Sequence, residues 1–119
     1  MSAAANRFRE RVVEGALYGP GKVEIAARLA AFHNQGVDER AQHLIDKVTR
    51  HAWKVTDEDV AATKAASVSE DEIFELVVCA ALGQATRQLD AALAALGTAT
   101  DSGTAARTSA PGQDVGGTR

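Results

Sequence analysis

Ala66-Ser67-Val68-Ser69-Glu70-Asp71-Glu72-Ile73-Phe74-Glu75-Leu76-Val77-Val78-Cys79-Ala80-Ala81 is the stretch on which the fold turns. Ser69 and Glu72 stand three apart. That is the spacing of a capping box, in which each side chain satisfies the other residue's backbone N–H at a helix start. Val68 and Ile73 flank the box as a hydrophobic staple. Glu70, Asp71 and Glu72 place negative charge at the positive end of the helix dipole. The run that follows is apolar on two faces, with Ile73, Leu76, Val77 and Ala80 on one and Phe74, Val78 and Ala81 on the other. Such a helix lies at the centre of a domain or in an interface between subunits. Ala85, Leu89, Ala92 and Leu96 then carry a single stripe forward, and Gly97 is expected to end the helix.

The same signal occurs thirteen residues earlier. Val55-Thr56-Asp57-Glu58-Asp59-Val60 echoes Val68-Ser69-Glu70-Asp71-Glu72-Ile73. Thr56 is the cap, and a short helix is expected over 57–66. Upstream again, Asp38 is a good N-cap. Ala41, Leu44, Ile45, Val48, Ala52 and Val55 follow it at spacings of three, one, three, four and three, a strong helical stripe. A helix over 22–34 is read from Ile25, Leu29 and Phe32, with Gly36 as its stop. A first helix over 4–17 carries Phe8, Val12 and Ala16 in line, and Tyr18-Gly19-Pro20-Gly21 breaks it.

From Gly97 to Arg119 the composition changes. These residues hold five of the ten glycines, seven Ser/Thr, and Val115 as the single large aliphatic. Such a stretch buries too little to offset its ordering entropy, so 97–119 is expected to be a disordered tail. The body, 1–96, is one domain. Its 25 alanines against five aromatic residues favour closely packed helices over a sheet. No window approaches the ~20 apolar residues of a membrane span. The N-terminus lacks the apolar centre of a secretion signal. These features imply a cytoplasmic protein that does not enter membranes. The 119 residues carry 13 Lys+Arg against 16 Asp+Glu, and Arg7, Arg9 and Arg11 are interleaved with Glu10 and Glu14. Without a sustained basic stripe, nucleic acid is not an expected partner.

Few residues are placed to do chemistry. Gly15-Ala16-Leu17-Tyr18-Gly19-Pro20-Gly21-Lys22-Val23 contains a Gly-Lys pair. It has one residue too many for a phosphate-binding loop, lacks the Ser/Thr, and follows a helix, so it reads as a helix–helix turn. His43 and His51 are eight residues apart, ~12 Å along a helix, too far to share a metal. Glu39, His43 and Asp46 lie among Lys47 and Arg50, so surface ion pairs are expected and no metal site. His33 suits the negative end of its helix. One cysteine excludes an internal disulfide. Cys79, between Val78 and Ala80, is expected to be a buried and inert thiol.

Residues 66–81 resemble the carboxymuconolactone decarboxylase and AhpD-like alkylhydroperoxidase family. Members often read Ala-Gly-hydrophobic-Thr/Ser-acid-acid-Glu-Ile before a long apolar helix. The resemblance covers roughly 40–96 and implies an all-α, AhpD-like helical bundle that forms homo-oligomers. Redox members carry Cys-x-x-Cys-x-x-x-His just upstream. Counted back without gaps from Ser69, Ala52 and Val55 stand where the two thiols would be, and Asp59 where the histidine would be. Ala and Val are neither nucleophiles nor disulfide partners. The resemblance therefore implies a divergent member without thiol peroxidase chemistry, needing no cofactor. It is expected to act through assembly or a small-molecule ligand. The alternative is an enzyme of altered chemistry around Trp53, with His51, Asp59 and Cys79 as its candidate catalytic residues.

Overall fold

The computed structural model describes residues 3–109, with side-chain surroundings as far as residue 97. Five α-helices follow one another, with no strand among the described residues. They are α1 (Ala3–Tyr18), α2 (Ile25–His33), α3 (Glu39–His51), α4 (Asp57–Ala65) and α5 (Glu70–Ser109), and a 3-10 turn over Ala52–Lys54 joins α3 to α4. The described residues fall into two units that divide between Thr86 and Arg87. The first holds α1 to α4 and the start of α5; the second holds the rest of α5. No helix among the described residues is long and apolar enough to cross a membrane.

Leu44 and Ile45 of α3, with Cys79 and Ala80 of α5, are the most deeply buried apolar residues beside Ala31 and Ala41. The apolar stripe read on α3 is the one that turns inward, from Ala41 to Val48. It ends there. His51 leaves helical geometry (φ −146°), the chain tightens into the 3-10 turn, and Ala52 is exposed. Asp38 caps α3, its side chain accepting from the Arg40 N–H at 2.9 Å. Thr56 and Asp59 form a full capping box on α4. Ser69 and Glu72 form another on α5, with bonds of 3.0 and 3.1 Å. Val68 and Ile73, the expected staple, are both buried.

Five expectations need correction. The stripe on α2 is shifted: Arg28, Ala31 and Phe32 are buried and Leu29 packs on the core, whereas Ile25 is exposed. The stripe on α1 is displaced. Leu17 is buried and Val13 packs on the core, whereas Phe8 is 67% exposed and Val12 is also outside. The helix offers two apolar stripes, and docking of Leu17 selects between them. Thirdly, α2 begins at Ile25 rather than Lys22: Glu24 is extended (φ −62°, ψ 149°) as the N-cap, and the Lys22 and Val23 N–H groups ahead of it are bonded to the Glu75 carboxylate. Fourthly, its stop is Asn34, not Gly36. Asn34 takes the left-handed conformation (φ 52°, ψ 46°), which short Asn side chains tolerate, and Gly36 follows at φ 71°. Lastly, α5 runs through Gly97 to Ser109. A glycine ends a helix by adopting positive φ, and Gly97 does not. It is carried by the alanines around it, at a cost of about 1 kcal/mol relative to Ala. The remainder of the expected tail, 110–119, lies outside the described residues.

The two apolar faces of α5 have different fates. Ile73, Leu76, Cys79 and Ala80 pack inward, with Val77 half-buried beside them. Phe74 is 69% exposed and Ala81 is also outside, with Val78 half-buried between them. On the inner side, Gly83 is buried against α2. A Cβ there would overlap the Phe32 carbonyl, so glycine is what lets the two helices approach.

Candidate functional site

The three candidate residues occupy three different settings. His51 is exposed at the end of α3, and its ring meets Trp53 edge-on, with centroids 5.3 Å apart and planes at 82°. Trp53 is 77% exposed. The pair is a surface feature, with both rings open to water.

Asp59 is held by its neighbours. One carboxylate oxygen accepts from the Thr56 N–H at 2.9 Å and from Lys47 Nζ at 2.8 Å. The other lies 3.5 Å from His43 Nε2. The Lys47 ammonium, with the Thr56 backbone N–H, holds the acid at about 2, so it stays ionised at neutral pH. A carboxylate stabilised this way is a poor general base. Its position serves the fold: it closes the α4 capping box and clasps α3 to α4 with one group.

Cys79 is 1% exposed. Its thiol donates to the Ala16 carbonyl at 3.6 Å, and burial pushes its pKa up, only partly offset by the Arg28 charge. A protonated, enclosed thiol is neither a nucleophile nor a resolving partner. His51 meets Trp53, Asp59 is bonded to Thr56 and Lys47, and Cys79 to Ala16, so the three have separate partners.

Of the surface ion pairs expected along α3, Asp46–Arg50 forms at helical spacing, while Lys47 and His43 pair across to α4. Asp46 accepts from Arg50 at 2.7 Å and from Asn34 at 3.0 Å, and Lys47 and His43 face Asp59. Among the described residues no cluster of three or more His, Cys, Asp or Glu could hold a metal.

The glycine-rich turn after α1 does cradle an anion, but one from the protein itself. The Lys22 and Val23 N–H groups donate to the two oxygens of Glu75 at 2.8 and 3.0 Å, and Lys22 Nζ pairs with Asp71 one turn away. A Cβ on Gly21 would overlap the Glu75 carboxylate. Behind the turn, Arg28 is buried. Its Nε donates to the Val23 carbonyl at 2.9 Å, and Nη1 donates to Gly19 at 2.8 Å and Ala16 at 3.3 Å. The cation thus rests on carbonyls at the negative end of α1, where the helix dipole favours it. Neither role was legible beforehand. Glu75 reaches back 53 and 52 residues, and the only local signal at Arg28 was a charged residue on the buried side of a short helix.

Compared with known protein families, characterised proteins and solved structures, the chain matches none of them.

Proposed function

We propose that this is a divergent AhpD-like helical protein without thiol peroxidase chemistry, whose role is self-assembly and the scaffolding that assembly provides. The observation that carries this is the disposition of α5. One face builds the core while the opposite face, at Phe74 and Ala81, is apolar and exposed. An apolar outer side on a helix whose inner side builds the core is the surface this reading assigns to an interface. The family part of the reading rests on local chemistry. In residues 66–73 the position that family members give to glycine is Ser67, and it has φ 76°, the geometry that favours glycine. Ala52 and Val55 at the thiol positions, and Cys79 enclosed in the core, argue against redox turnover.

The test pairs an activity with a mass. The purified chain should reduce no hydroperoxide and convert no lactone acid above background, and it should sediment above monomer mass at high micromolar concentration. Native Cys79 should resist a thiol reagent and react once the protein is unfolded in urea. Turnover abolished by His51→Ala would replace this reading with the alternative of an enzyme around Trp53, for which the His51–Trp53 ring pair is the one favourable geometry.

A further inference from the structure

We draw no further inference here: the strongest candidate, the anion cradle in the turn between α1 and α2, is already filled by the protein's own Glu75, whose carboxylate accepts from the Lys22 and Val23 N–H groups, and it belongs to the site already described.

Discussion

The joint between α1 and α2 and the joint between α3 and α4 are closed by opposite means. At the first, side chains from outside the turn do the work. Arg28 supplies donors to three backbone carbonyls and Glu75 supplies acceptors to two backbone N–H groups, all in a turn too glycine-rich to hold itself. At the second, the chain caps itself within a few residues, through Thr56 and Asp59, and Lys47 adds one clasp. A joint in which one side chain serves several backbone groups fails when that side chain is lost. A self-capped joint loses its contributions one at a time. The first joint also reaches Cys79, whose thiol donates to the same Ala16 carbonyl that Arg28 holds.

The largest effect should come from Arg28→Met. Methionine keeps most of the volume but leaves the Ala16, Gly19 and Val23 carbonyls without their donor, and the loss should be about 3 kcal/mol or more in urea unfolding. Cys79 should then react with a thiol reagent under native conditions faster than in the wild type. A loss under 1 kcal/mol would show that water replaces the guanidinium and that the joint is not held from within.

Glu75→Ala comes next, at about 2 kcal/mol, because two backbone N–H groups lose their acceptor. The comparison sharpens with Gly21→Ala. A Cβ at Gly21 meets the Glu75 carboxylate, so this substitution should cost clearly less in the Glu75→Ala background than in the wild type. Equal costs in both backgrounds would place the need for glycine in the turn itself.

At the self-capped joint the effects are smaller. Thr56→Ala should cost about 1 kcal/mol. Asp59 adds a pH dependence whose sign is fixed by its low folded value. The folded carboxylate titrates at about 2, below its ordinary value near 4. Its contribution is therefore present above pH 4 and lost as the pH falls towards 2. Wild-type melting temperature should exceed that of Asp59→Asn at pH 5, and the two should converge near pH 2. A constant gap would mean that Asp59 acts through packing and not through its charge.

This division explains what could be read from the sequence. The caps at Asp38, Thr56 and Ser69 were legible because their chemistry is complete within four residues. The stripe on α3 was legible because one face dominates. Glu75 and Gly83 were not, since each meets backbone brought near only by the finished fold, and Arg28 was not, since its three acceptors gather on it only when the turn between α1 and α2 has closed. The end of α5 was misplaced because glycine stops a helix through its conformation, and composition does not report conformation. The choice between the two stripes of α1 was likewise a matter of packing. At the candidate site, the burial of Cys79 was legible in the apolar residues around it, while the separation of His51, Asp59 and Cys79 needed coordinates.

The smallest effect has the opposite sign. After α4 the Val68 N–H donates to the Thr63 carbonyl at 3.3 Å and the Ser67 N–H to Lys64 at 3.0 Å, so the helix closes in a Schellman motif with Ser67 at φ 76°. A side chain in this region costs about 1–2 kcal/mol. Glycine removes that strain, but gives part of it back through the greater freedom of the unfolded chain. Ser67→Gly should therefore stabilise the protein by about 0.5–1 kcal/mol, and the gain should be unchanged in the Thr56→Ala background, because the two ends of α4 are capped independently. A destabilisation would mean that the Ser67 side chain contributes more to the turn between α4 and α5 than its backbone strain takes away.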